Sequence, residues 1–96
     1  MRLEWSEKAR QGLFAILEYI GSQDVDAAQR VFDELENAAE SLLRFPMLGQ
    51  PGRIAGTRDL LVRPRFRLIY KISNETIFIL AVLHTSQRFP EVREIL

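Results

Sequence analysis

Ten residues, Met47 to Gly56, divide this chain into two halves that obey different periodicities. They hold three glycines and a proline, too many punctuating residues for a helix or a strand, so they form a structured loop. Before the loop, apolar residues recur every three or four positions. After it they alternate or run in short blocks. A chain of this kind must pack helices against a sheet across one junction, which is an α+β arrangement.

Upstream, Arg2 to Trp5 alternates, with Leu3 and Trp5 on one face and Arg2 and Glu4 on the other, and predicts a short first strand. Ser6 supplies an N-cap, and Glu7 places a negative charge in the first helical turn, where the dipole favours it. Ala9, Leu13, Ile16, Leu17 and Ile20 then form one apolar stripe, and Gly21 is expected to end the helix in the left-handed conformation. Asp24 or Asp26 caps a second helix whose stripe is Ala28, Val31, Phe32, Leu35, Ala38, Ala39 and Leu42. Pro46 stops it, having no amide hydrogen to donate and restricting Phe45 before it. The short connection through Ser22 and Gln23 makes the two helices an antiparallel hairpin.

Downstream, strands are expected over Thr57–Val62, Phe66–Ile72 and Thr76–His84, with a turn at Ser73-Asn74-Glu75. The last is apolar on both faces, which predicts the central position. The order β-α-α-β-β-β gives a twisted antiparallel sheet with a two-helix hairpin packed on one face. The 96 residues form one domain spanning 1–96, without internal repeats, linkers or low-complexity stretches. Such a chain buries roughly two-thirds of its unfolded surface, enough for a core without metal or disulfide staples.

The net charge of zero hides an asymmetry. Residues 1–50 carry 5 Lys/Arg and 9 Asp/Glu, and residues 51–96 carry 8 and 4. With no cysteine there is neither a disulfide framework nor a Cys-based zinc site, which fits a reducing compartment. The charged N-terminus does not read as a signal peptide, and the longest apolar stretch, Ile77 to Leu83, is strand-length. These features predict a cytoplasmic, soluble protein with no membrane contact, no cofactor and no metal.

Catalytic chemistry is poorly provided for. His84 is the only histidine. Ser86, His84 and Asp59 make a Ser–His–Asp set on paper, but nothing marks a nucleophile elbow. A general base at His84 is chemically reasonable. The plainer reading is a strand-end histidine hydrogen-bonded to a neighbouring loop. Gly49, Gly52 and Gly56 do not fit a phosphate loop, because no lysine or helix N-terminus follows. The basic set is the stronger signal: Arg58, Arg63, Arg65, Arg67 and Lys71 fall on two neighbouring strands. By period two, Arg65, Arg67 and Lys71 project opposite to Phe66, Leu68, Tyr70 and Ile72. If the apolar face meets the helices, these cations lie on the open face, free to bind phosphates or an acidic peptide, or simply solvated.

The phrase Leu48 to Leu60, LGQPGRIAGTRDL, followed by FRLIYKI and then AVLHTSQRFP from Ala81 to Pro90, resembles the ParE branch of the RelE/ParE toxin superfamily. The resemblance runs from Arg2 to about Pro90. It implies a toxin of a type II toxin–antitoxin operon, held inactive in a hetero-oligomer with a small ParD-like antitoxin. RelE-like members cut messenger RNA on the ribosome, whereas ParE-like members poison DNA gyrase. Against the RelE pattern, Arg58 and Arg67 match basic positions on two strands. Leu60 stands where a second lysine is expected, and no tyrosine follows Tyr70. The resemblance therefore implies a non-enzymatic, ParE-like gyrase inhibitor with no direct nucleic-acid specificity. A RelE-like ribosome-dependent endoribonuclease is the alternative, and a decayed toxin that only binds antitoxin is a third. Arg53, Arg58, Arg65, Arg67, His84, Arg88 and Phe89 are the residues expected to contact antitoxin or target. The run from His84 to Leu96 is the expected gyrase-binding segment.

Overall fold

The computed structural model describes residues 1–62 and 64–95. Arg63 and Leu96, both drawn into the expectations above, lie outside the described residues, as does the side chain of Val92. The elements are β1 (Arg2–Trp5), α1 (Glu7–Gly21), α2 (Val25–Ser41), β2 (Gln50–Pro51), β3 (Arg58–Val62), β4 (Phe66–Ser73), β5 (Thr76–His84) and a short α3 (Val92–Ile95). This is the expected α+β fold, a five-stranded sheet with a helix hairpin on one face. Both helices begin on the predicted caps. Ser6 Oγ accepts from the Ala9 amide at 3.0 Å, and Asp24 Oδ1 from the Ala27 amide at 3.0 Å. Gly21 does not take the left-handed role. It is the last helical residue, followed by a right-handed Ser22 at φ −65, and the Ser22 and Asp24 amides bond Glu18 and Ile20 carbonyls to turn the chain.

The strand order is β1-β5-β4-β3-β2. The four C-terminal strands pair antiparallel, while β1 runs parallel to β5 with Trp5 beside Ile79, so the sheet as a whole is mixed. The helix hairpin is the crossover that a parallel pair requires. β5 is interior, as two apolar faces demand, but β4 holds the middle of the sheet. β2 is a two-residue strand inside the expected loop, pairing Gln50 with Asp59 and Pro51 with Arg58.

A turn joins β4 to β5 at Asn74-Glu75, with φ of 52° and 57° and Ser73 paired to Thr76. Two left-handed residues match the twist of the flanking strands. Asn74 suits that conformation and Glu75 does not. Glu75→Gly is therefore expected to stabilise the fold by about 1 kcal/mol, read as a thermal midpoint raised by about 4–8 °C. An unchanged or lowered midpoint would mean that this turn is not left-handed in solution.

Two cores result. The larger lies between helices and sheet and contains Leu35, Ala39, Leu42, Leu68, Tyr70, Ile77 and Ile79, each fully buried. The smaller lies on the opposite face, which had been expected to stand open. There Ile69, Leu80 and Ile95 are buried with Ile54, Phe78, Leu83 and Phe89 packed around them. A register shift creates it: Ile69 pairs with Ala81 but Tyr70 with Ile79, leaving Leu80 bulged. Leu80 and Ala81 consequently both belong to the second core, and the C-terminal segment folds back over them. Among the described residues, no helix is long and apolar enough to cross a membrane, and no group of three or more His, Cys, Asp or Glu side chains is placed to hold a metal ion.

Candidate functional site

Cross-strand register decides which arginines share a face. Arg58 pairs with Tyr70, Leu60 with Leu68 and Val62 with Phe66, so Arg58 sits on the helix side of the sheet. There its Nε and Nη2 donate to the Gly49 carbonyl at 3.0 and 2.7 Å, and Nη2 also reaches the Met47 carbonyl at 3.4 Å. Tyr70, fully buried beside it, accepts from the Gly49 amide at 2.9 Å and donates its hydroxyl proton to the Pro46 carbonyl at 2.7 Å. Gly49 is needed for this approach. A Cβ there would lie 2.9 Å from the Asp59 carbonyl oxygen and 2.9 Å from two atoms of the Tyr70 ring and hydroxyl. Arg58 and Tyr70 thus clamp residues 46–49 by five side-chain hydrogen bonds to backbone.

Arg67 projects from the opposite face. Its Nη1 lies 3.1 Å from Asp59 Oδ2, on a diagonal between β4 and β3. The aspartate side chain is only 14 % exposed against 42 % for the arginine, so the charge-assisted bond is partly sheltered. Asp59 Oδ1 is buried without a hydrogen-bond partner among the described residues. The pair cancels the charge of Arg67 at the place where a cationic sheet face was expected. Lys71 Nζ lies 5.6 Å from the Phe78 ring centroid on the same face.

The C-terminal candidates are used structurally. Arg53 stacks its guanidinium 4.8 Å from the Phe89 ring centroid, and Phe89 packs on the second core. Arg88, 73 % exposed, lies 3.5 Å from Glu94, an exposed pair of small energetic consequence. Phe89 is half-buried, with one side packed on the second core.

His84 closes β5. Its Nδ1 accepts from the Ser86 amide at 3.1 Å and contacts Ser86 Oγ at 2.6 Å, while the His84 amide donates to Gln87 Oε1 at 2.6 Å. With Nδ1 accepting the amide, the neutral ring carries its proton on Nε2. The Phe66 ring meets it edge to face at 5.5 Å. His84 is bonded to the loop that follows it, and Asp59 is occupied by Arg67, so the paper triad is not assembled. His84 and Arg65 instead line an open groove of about 880 Å³ between the sheet end and the hairpin, whose helical wall includes Ile16, Tyr19, Ala27 and Val31. Tyr19 is 70 % exposed there.

The expected site residues thus fall into three places: Arg58 in the loop clamp, Arg65 and His84 at the groove, and Arg53, Arg88 and Phe89 along the C-terminal strap. Arg67 stands apart with Asp59. The clamp and the groove were both missed in the sequence. A polar hydroxyl on the apolar side of β4 was the one available sign of the clamp, because a buried tyrosine needs a partner for its oxygen.

This architecture has known counterparts. Residues 3–89 match the family described as the ParE toxin of the type II toxin–antitoxin system, parDE. The chain belongs to the ParE toxin family. It is 38 % identical over 92 residues to the candidate toxin Y4kP of Sinorhizobium fredii, covering 95 % of each chain. It is 33 % identical over 85 residues to toxin RelE2 of Caulobacter vibrioides, covering 86 % of this chain and 93 % of that one. Among solved structures, the chromosomal ParDE toxin–antitoxin system of P. aeruginosa shares the fold, with a TM-score of 0.79 at 23 % identity over 90 % of this chain and 97 % of that one. The protein is a toxin of a type II toxin–antitoxin system within the ParE/RelE superfamily, and membership implies an antitoxin partner. In this ParE-family chain the Leu48-to-Leu60 phrase that carried the resemblance spans the end of the clamped loop, β2 and the start of β3.

Proposed function

We propose that this ParE-family toxin acts in the cytoplasm by binding DNA gyrase and stabilising its DNA-cleavage complex, without catalysing a reaction of its own, and that a ParD-like antitoxin neutralises it. The observation that carries the reading is the fate of the two arginines that match the ribonuclease pattern. Cleavage of RNA by its 2′-hydroxyl needs a proton acceptor, a proton donor for the leaving oxygen and uncommitted cations on the scissile phosphate. Arg58 spends its donors on the Gly49 and Met47 carbonyls, and Arg67 is neutralised by Asp59. Tyr70 is buried in the clamp and cannot serve as the proton donor, and the one carboxylate beside Arg67, Asp59, is held in an ion pair. A phosphate placed there would meet Asp59 at once.

The antitoxin belongs in the groove between the hairpin and the sheet end. Its walls combine Ile16, Ile20 and Val31 with charges of both signs, Arg30 and Arg65 alongside Asp24 and Glu34, which suits an amphipathic segment with apolar anchors and charged flanks. The resulting assembly is a hetero-oligomer of toxin and antitoxin. Purified gyrase and supercoiled plasmid provide the test. Added toxin should raise the amount of covalently trapped, linearised DNA, and the antitoxin should suppress the effect. Gyrase that supercoils normally and traps no DNA at saturating toxin would refute the assignment.

A further inference from the structure

We propose that the clamped loop from Phe45 to Leu48 is the surface through which this toxin engages its protein target, and that the target presents an acidic segment bearing apolar side chains. The inference rests on the protein-binding reading above, and it places the target contact on a surface separate from the antitoxin groove. Phe45, Met47 and Leu48 are 61, 67 and 52 % exposed, one after another around a single turn. The backbone is held so that these side chains face water. Tyr70 and Arg58 fix the Pro46, Met47 and Gly49 backbone groups, and Gly49 admits no side chain. A surface ordered in advance binds without the entropy cost of ordering it on contact. Contiguous apolar exposure on a small protein is characteristic of interaction sites.

The chemistry of the partner follows from charge. From Ser41 to Arg58 the chain contains three arginines and no carboxylate. Arg44 adjoins Phe45 and is exposed, and Arg58 is half-buried behind Met47. Leu48 continues onto the sheet edge, where it lines a groove with Leu61, 47 % exposed, beside the Arg67–Asp59 pair, which adds no net charge. An apolar ridge with Arg44 exposed at its start, the Arg58 charge behind it and no carboxylate of its own favours a carboxylate-bearing partner over a basic one. The loop shares no residue with the walls of the hairpin groove, so the two surfaces can be altered independently.

The test uses the full chain and its cognate antitoxin. The double variant Phe45→Ser, Met47→Glu and the single variant Arg44→Glu alter only exposed side chains. Both should keep the wild-type unfolding midpoint and bind antitoxin in calorimetry within about twofold of wild type. The double variant should need at least about tenfold more expression to arrest growth, the scale expected when a hot spot is removed. Arg44→Glu should shift the dose in the same direction. Arrest by the double variant at the wild-type dose would overturn the proposal. So would a parallel loss of antitoxin affinity, which would put the antitoxin on this loop. If the wild-type toxin arrests growth without trapping gyrase on DNA, the gyrase assignment fails, and the same comparison of variants still decides the role of the loop.

Discussion

Tyr70→Phe is expected to destabilise the protein by about 2–4 kcal/mol, although it removes a single oxygen. That hydroxyl accepts from the Gly49 amide and donates to the Pro46 carbonyl inside the larger core. Stranding the buried Gly49 amide costs about 1–3 kcal/mol, more than the net worth of its bond, and the part-buried Pro46 carbonyl adds about 1 kcal/mol. Arg58 continues to hold the Gly49 carbonyl, so the loop loosens rather than unfolds. Urea denaturation should show a lower midpoint with an unchanged slope. A loss below about 0.5 kcal/mol would mean that water replaces the hydroxyl at no cost and that the clamp is weaker than its geometry implies. The variant also bears on function, since it leaves every exposed side chain of the loop intact and removes only its support.

Ile95→Ala is the second large effect, at about 2–3 kcal/mol. Ile95 is 5 % exposed and closes the core over Ile69 and Leu80. Truncating a buried isoleucine to alanine removes transfer energy and leaves a cavity, and the usual range is about 2–5 kcal/mol. The lower part of that range applies because the second core is small, with three buried residues, Ile69, Leu80 and Ile95, at its centre among the described residues. Chemical denaturation again reads the change, and an increase in binding of a hydrophobic dye should accompany it. No change in either would show the strap detached from the sheet in solution. The same packing bears on the sequence-based expectation that residues 84–96 form the gyrase contact. Truncation after Thr85 would remove Phe89 and Ile95 from the second core, so loss of toxicity in that variant would report lost packing as much as a lost interface.

The local features of this fold were legible and the non-local ones were not. Ser6 and Asp24 announce helix starts because a cap acts within three residues of itself. The three long strands and the turn at Asn74 follow equally from near neighbours. Parallel pairing of β1 with β5 joins residues some seventy positions apart, and nothing in Arg2 to Trp5 specifies a partner or a direction. The second core draws Ile54, Ile69, Leu80, Phe89 and Ile95 from separated stretches, and a bulge at Leu80 that no pattern announces brings them to one face. The basic face was misjudged for a related reason. Leu60, Leu61 and Val62 are all apolar, so alternation along β3 is ambiguous and Arg58 reads equally well on either side. Register with β4 resolves it, placing Arg58 with Tyr70 and leaving Asp59 on the side of Arg67. The motif phrase pointed to the family, while the role of its Gly49 depended on a contact from Tyr70, 21 positions downstream.

On the proposed reading this toxin does not cleave RNA, because Arg58 and Arg67, on opposite faces of the sheet, are committed to Gly49, Met47 and Asp59. Primer extension on messages translated in a reconstituted system with the purified toxin tests this most directly. The predicted result is a stop pattern identical to that of ribosomes without toxin, at concentrations that arrest growth. Discrete cuts within translated codons, appearing with the toxin and abolished by its antitoxin, would contradict it.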